Sequence, residues 1–285
     1  MAVISPVRPS PIAGSWYEGN PKALTRAVDL YLDQAELPEL PGEVIAVIAP
    51  HAGHIYSGPV AGYAFAAVRG RTPDVVAILS PMHQPYYESL LTTSHSAYET
   101  PLGQVPVDTE AVSSLDSRLR TSLGYGLTPV AYDREHSLEI ELPFLQRALG
   151  ADFKLLPVMV RSQSLKISQQ LGVDLAETLR GKKALMVAST DLSHFYTQED
   201  ALTYDNEMLR RIESFSPEDV FNAEKDKQGF ACGLGALTAV LWAARALGAT
   251  TIKVLRHATS GDVTGDYSSV VGYGAAVILK PSSSS

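Results

Sequence analysis

The sequence predicts one α/β domain over residues 1–280, built on a largely parallel central sheet with helices on both faces. Three observations carry this. Short apolar runs alternate with helical patterns along the chain, the order that βαβ units produce. The runs are continuously apolar rather than alternating, which suits strands buried on both faces. No internal repeat or long linker interrupts the pattern, and a single α/β domain of this length is common.

The strands are expected at residues 44–49, closed by Pro50, and at 75–79, closed by Ser80-Pro81. Residues 155–160 and 184–189 have the same form, a fifth strand begins at Val254-Leu255, and a long sixth covers 270–279. Helices fit between them. Asn20-Pro21 sets a capping side chain before a proline at the first helical position, so a helix should run through residues 29–32. Residues 59–68, 135–149, 162–179, 204–212 and 233–247 are further helical segments. The last carries one charge, Arg245, and reads as a buried helix, too short and mixed to span a membrane. Residues 98–108 join turn chemistry at Glu99-Thr100-Pro101-Leu102-Gly103 to Val105-Pro106-Val107, which predicts a loop and a short edge strand. Residues 260–266 read as tight turns, and the serine-rich stretch 281–285 as a disordered tail.

Composition narrows the function. Apolar residues make up 45% and charged residues 19%, the latter below the usual ~25%, which favours a compact enzyme-like body. The 23 basic and 31 acidic residues give a net charge of -8, with no basic cluster along the chain, so nucleic acid is not an expected partner. Cys232 is the single cysteine, which rules out an intrachain disulfide and fits a reducing compartment. Residues 1–11 hold three prolines and Arg8 but no apolar core of signal-peptide length. A cytoplasmic protein without a membrane segment is expected.

The histidines point to chemistry. Three of the six expected strands are followed within five residues by a histidine: His51 in Pro50-His51-Ala52-Gly53-His54, His83 in Ser80-Pro81-Met82-His83, and His194 in Thr190-Asp191-Leu192-Ser193-His194. Sheets of this kind bind ligands beyond the carboxyl ends of their strands. If the three strands are parallel and adjacent, the imidazoles converge on one crevice. Imidazole is the commonest metal ligand and an acid/base group near neutral pH. Two histidines and one anionic side chain make a three-ligand face with positions left open for substrate. Each histidine alone also fits a hydrogen-bonded loop residue.

Cys232 sits just before Gly233 at the start of the apolar helix, where the dipole and free N–H groups favour a thiolate. That thiolate would bind iron, copper or zinc; the alternative is a small buried hydrophobe. In Glu135-His136-Ser137-Leu138-Glu139, with Glu141 beyond, a helix would put His136 and Glu139 on one face, where the carboxylate could orient the imidazole. A solvated acidic helix start is an equal reading. Trp16 and Tyr17 are adjacent aromatics in a Gly-Ser loop, either a plug over the core or a ligand wall at the cleft rim. His54, His95 and His257 receive no role, and His95, in a Ser/Thr stretch, is expected to be exposed.

Taken in order, Ala13-Gly14-Ser15-Trp16-Tyr17, Pro50-His51-Ala52-Gly53, Glu135-His136-Ser137-Leu138-Glu139, Leu142-Pro143-Phe144-Leu145, Ser189-Thr190-Asp191-Leu192-Ser193-His194 and Thr259-Ser260-Gly261-Asp262 resemble the Memo family over nearly the whole chain. That family is similar in fold to the class III (LigB-type) non-haem iron extradiol dioxygenases. The resemblance implies a metal site from His51, His83 and Cys232, with Asp191 and His194 beside it. It implies Fe(II) as the metal, with copper or zinc as alternatives. Cysteine stands where the class III enzymes use a carboxylate, and Leu234 stands where the family often has arginine. Bacterial and archaeal members are often encoded beside AMMECR-type and radical-SAM proteins, which implies a functional association with them.

Three functions compete at this point. The first is a metal-dependent oxidoreductase of dioxygenase type acting on a small molecule, with His194, Asp191 and His136 as the catalytic groups and Trp16 against the substrate. The second is a ligand- or peptide-binding adaptor using the same cleft, since a vertebrate relative is described as an adaptor for phosphotyrosine peptides. The third is a metallohydrolase, for which the sequence lacks the extra carboxylates of a two-metal site.

Overall fold

The structure, a computed structural model, describes residues 5–281; the expected serine tail falls, from residue 282 onward, outside the described residues. Along the chain come β1 (Val7–Arg8), α1 (Pro21–Asp33), β2 (Glu43–Ala49), α2 (His54–Ala66), β3 (Val75–Pro81), β4 (Leu90–Thr93), β5 (Ala97–Thr100) and β6 (Gly103–Pro106). They are followed by α3 (Thr109–Leu123), β7 (Thr128–Val130), a 3-10 turn (Glu139–Glu141), α4 (Leu142–Ala148), β8 (Lys154–Val160) and α5 (Leu165–Leu179). The rest is β9 (Ala184–Ser189), β10 (His194–Tyr196), α6 (Gln198–Glu213), α7 (Pro217–Lys225), α8 (Leu234–Ala246), β11 (Thr251–Thr259), α9 (Gly261–Thr264) and β12 (Val270–Lys280).

The main sheet runs β10-β12-β2-β9-β3-β8-β4-β7, with β11 also paired to β12. Its centre is parallel: β2, β9, β3 and β8 pair in register with the same direction. The flanks turn antiparallel, at β8–β4 on one side and at β2–β12 and β12–β11 on the other. The sheet is therefore mixed around a parallel core. Strand β3 shows why these strands read as unbroken apolar runs. Val75, Ala77 and Leu79 pack on the face covered by α3, α5, α6, α7 and α8, while Val76 and Ile78 pack on the face covered by α1, α2 and α4. Both sets are buried, so neither alternate position can be polar.

Local chemistry accounts for the ends. Asn20 accepts the Lys22 and Ala23 N–H groups at 3.0 and 3.1 Å, and Pro21 opens α1, as its sequence requires. Helix α8 is buried along most of its length, and no helix among the described residues is long and apolar enough to cross a membrane.

Several expectations need correction. Residues 98–108 form the hairpin β5–β6, which joins β1 in a separate three-stranded sheet. Residues 260–266 hold the single helical turn α9 rather than turns alone. The expected helix over 135–149 does not start until the 3-10 turn at Glu139–Glu141. The reason is competition for its hydrogen bonds. Arg8 takes the Glu135 carbonyl at 2.8 Å, and the Glu135 carboxylate takes the His136 and Ser137 N–H groups at 3.0 and 3.1 Å. A first helical turn there would need that carbonyl for its own i→i+4 bond.

Candidate metal centre

The three histidine-bearing strand ends are neighbours, in the order β2-β9-β3, and all three strands are parallel. His51 follows β2 and His83 follows β3. The 131–138 segment brings His136 to the same place. One ring nitrogen from each of His51, His83 and His136 lies within 4.8 Å of the others. The His83 and His136 rings stack at 4.9 Å and 11°, and His51 meets both edge-on at 5.3 and 5.5 Å.

Each ring is fixed by its Nδ1 side. His51 Nδ1 bonds the Ser189 hydroxyl at 2.8 Å, and that hydroxyl donates to the Ser137 carbonyl at 2.7 Å. His83 Nδ1 bonds Glu135 Oε1 at 2.9 Å, and His136 Nδ1 stands 3.3 Å from the same oxygen. Such outer partners set the tautomer and leave Nε2 as the free lone pair, the arrangement that metal-binding histidines show. Burial pushes Glu135 up, but hydrogen bonding to His83, the two nearby imidazoles and the Ser137 N–H outweigh it and hold the carboxyl far below the usual carboxylate range. Burial lowers His136 to about 4 and His51 well below its ordinary value, and the neighbouring imidazoles add to the lowering. His51 and His136 are thus neutral near pH 7, the form a metal ion needs. The donor set is nitrogen-rich and its spacing can be bridged by one ion, so these residues fit a single metal.

Cys232 and Asp191 border this cluster. Cys232 Sγ lies 3.1 Å from His51 Nε2 and accepts the Asp191 N–H at 3.2 Å. Burial pushes its thiol up, with the Asp191 carboxylate adding to the effect. The next residue must be small. A Cβ at Gly233 would stand 2.3 Å from the Ser189 carbonyl, so glycine lets the start of α8 press against the end of β9. Asp191 Oδ1 accepts the His51 N–H at 2.7 Å, and its Oδ2 lies 3.9 Å from His51 Nε2. Burial lifts the Asp191 carboxyl to about 7, against the His51 and Ala52 N–H groups. His194 is half-buried, with Nδ1 on the Leu192 carbonyl at 2.8 Å, and it stands outside the three-imidazole cluster.

Glu139 does not face His136. It pairs with Arg8 and accepts from the Ser10 and Tyr17 hydroxyls. The carboxylate at His136 is Glu135, and Glu135, Glu139 and Glu141 are all buried, so this is no solvated helix start. Both Glu141 oxygens lack a hydrogen-bond partner among the described residues, and burial pushes that carboxyl well above the ordinary range. Sequence reasoning passed over two supports of the site, Ser189 and Arg8. Serine at the end of a buried apolar strand was the available signal for the first; Arg8 left none.

His95 is not exposed. It is 3% accessible, with Nδ1 on the Ser5 carbonyl at 2.7 Å and Nε2 accepting the Tyr132 N–H at 3.1 Å. A polar neighbourhood in sequence was satisfied inside the fold. His257 is also engaged, its Nε2 2.9 Å from the buried Asp205 carboxylate, which holds the Ser193 N–H at 2.9 Å and so braces the Asp191–His194 loop.

With this geometry, the chain matches the family model described as "Memo-like protein" over residues 8–277. The chain belongs to the Memo family. It is 34% identical to a MEMO1 family protein of Nitrosopumilus maritimus over 94% of this chain and 98% of that one. It is 36% identical to one from Methanococcoides burtonii, over 96% and 100% of the two chains. A Thermotoga neapolitana MEMO1 family protein is 34% identical over 95% and 99%. The Memo match spans both sheets, so the His51, His83 and His136 cluster lies inside the matched region.

Trp16 is 37% accessible, its carbonyl holds the His54 N–H at 2.8 Å, and its ring lies 4.1 Å from the His136 ring. Any ion drawn to His136 therefore sits beside an indole. Loading with Fe(II) or Cu(II) should quench part of the tryptophan emission. In Trp16→Phe the remaining emission, from Trp242, should not respond; an equal response in that variant would separate Trp16 from the centre.

Proposed function

We propose that this chain is a metal-dependent oxidoreductase of the dioxygenase type, acting on a small molecule with Fe(II) as its native metal and copper as the closest substitute. The observation that carries this reading is the three-imidazole cluster at the carboxyl ends of adjacent parallel strands, with a thiol in contact with one member. His51, His83 and His136 are the nitrogen donors in this reading, and Cys232 adds sulfur beside His51. His136, expected from sequence to move protons, is better used as a donor because its ring packs with the other two. Imidazole and thiolate together favour iron, copper or zinc over magnesium or calcium. Bound iron would supply Lewis acidity and electron transfer to dioxygen.

The chain's own groups supply the rest. The tie from His194 Nδ1 to Leu192 leaves Nε2 as the nitrogen that gives or takes a proton at the substrate. Asp191 locks the His51 backbone and so holds the donor in place. Trp16 forms a flat wall on the solvent side of His136, against which a small molecule can lie. The dioxygenase reading needs an open coordination position. Fe(II)-loaded protein, kept anaerobic and treated with nitric oxide, should therefore give the high-spin iron–nitrosyl resonance. Stoichiometric iron without that resonance would mean a closed site and would sink the oxidoreductase reading.

The sulfur donor has its own measurement. The imidazoles are common to the parent and to Cys232→Ser, so any proton they release cancels between the two. A thiol, ordinarily titrating at ~8.5 and here pushed higher by burial, must lose its proton to ligate. Calorimetry in buffers of different ionisation heat should show about one proton more released per ion by the parent than by Cys232→Ser. Equal release would remove Cys232 from the donor set.

A further inference from the structure

A cavity stands at the opposite end of the sheet from the histidines, beside the amino ends of β2, β3 and β9. Its volume is about 670 Å³, within the range of small-molecule sites. Arg71 follows α2, Lys182 and Lys183 follow α5, and Lys280 ends β12; all four line the cavity. Arg71, the adjacent Lys182 and Lys183, and Lys280 come from three distant parts of the sequence, and the fold collects them on a chain of net charge -8.

One acid, Glu43, faces them, and it bonds Arg71 Nη2 at 2.7 Å. Arg71 Nη1 has no hydrogen-bond partner among the described residues, and none of the three lysines is ion-paired among them. Another part of the lining is different in kind: the half-buried Ala184 and Leu247, backed by the buried Ile45, Leu179 and Met186, offer an apolar surface to the same space. Cationic rims bind phosphate or carboxylate oxygens, while an apolar wall takes a flat ring. The excess of positive charge also concentrates anions locally against the overall negative field.

We propose that this groove binds a small organic phosphate carrying a planar ring, of the nucleoside diphosphate class, at a site separate from the histidine cluster. Phosphate oxygens meet Lys182, Lys183 and Lys280, with Arg71 held ready by Glu43, and the ring lies on Ala184 and Leu247. This reading does not depend on the metal chemistry above.

The test uses the full chain, treated with chelator so that no ion at the histidines can hold phosphate. ADP is titrated by calorimetry, alongside Lys182→Glu/Lys183→Glu and His51→Ala. Both lysines are exposed, so the charge reversal leaves the core intact, which circular dichroism verifies. ADP should bind one to one, at least about tenfold more weakly to the double variant and at higher salt, and equally well to His51→Ala. Absence of saturable binding, or undiminished affinity in the double variant, overturns the site. A loss of ADP binding in His51→Ala alone would return the ligand to the histidine end and overturn it as well. Pyrophosphate displacing ADP at equal concentration would overturn the assignment of the ring to the apolar wall.

Discussion

Replacing His51 with alanine should lower the affinity for Fe(II) roughly a hundred- to a thousandfold, since a structural zinc site of four ligands is worth ~10–16 kcal/mol, or ~2.5–4 kcal/mol per ligand. His51 is the hinge of the donor set. Its ring touches His83, His136 and Cys232, its Nδ1 is held by Ser189, and its backbone N–H is held by Asp191. No neighbouring side chain can swing in to replace an imidazole fixed from so many sides. Anaerobic titration against a competing chelator measures the change. His136→Ala should show a loss of the same order, because its ring belongs to the same triangle. Undiminished affinity in both variants would mean that the imidazoles pack together without binding an ion. Tyr87, fully exposed, offers a silent control; His95 does not, because alanine there would strand the Ser5 carbonyl and the Tyr132 N–H.

Arg8→Leu should cost ~3–5 kcal/mol of stability, the usual loss when one partner of a buried ion pair is removed. The guanidinium is 1% exposed and reaches Asp133 through Nε at 3.0 Å and Nη2 at 2.7 Å, Glu139 through Nη1, and the Glu135 carbonyl through Nη2 at 2.8 Å. It also stands over the Tyr98 ring at 4.9 Å. Leucine would keep the volume and leave two buried carboxylates without their cation. The same arm holds the segment that carries Glu135 and His136. Metal affinity should therefore fall ~10–100-fold in the variant that still folds, as outer-sphere losses do. Urea unfolding reads the first effect and metal titration the second. A stability loss within ~0.5 kcal/mol, typical of a surface change, would show that Asp133 and Glu139 find other partners. Adding Asp133→Asn should recover part of the stability but not the affinity, because it relieves a charge without restoring the anchor.

The parallel strands were legible because burial on both faces leaves only one kind of residue available at every position. His51, His83 and His194 could be read from the strands they follow. His136 could be read as important, but its surroundings could not. Its helix was forestalled by Arg8, a residue 128 positions earlier whose guanidinium claims the carbonyl that the helix would use. Pattern-reading sees neighbours along the chain, and such a bond is invisible to it. Helix α3 is a different kind of miss. Asp108 caps it by accepting the Ala111 N–H, Gly124 ends it at a φ of 83°, and Ala111, Leu115 and Leu119 repeat along its buried face. Those signals were present and local. His95 failed for the reverse reason: its polar sequence context implied water, while the fold supplied a carbonyl and an amide instead.

The strand order β2-β9-β3 has a consequence for synthesis. Strands β2 and β3 come early, yet they are not partners, because β9, made more than a hundred residues after β3 begins, lies between them. A ribosome that has released the first half of the chain has therefore made His51 and His83 without a surface to hold them together. Closing this gap is entropically slow, as non-local pairing generally is, and it delays the assembly of the histidine cluster until β9 inserts. Until then the nascent chain offers two unpaired apolar strand edges, which are sites for chaperone binding or aggregation. On the proposed reading, metal loading is thus a late, whole-chain event: an ion that arrives early meets scattered side chains, and one that arrives after β9 meets the assembled histidines.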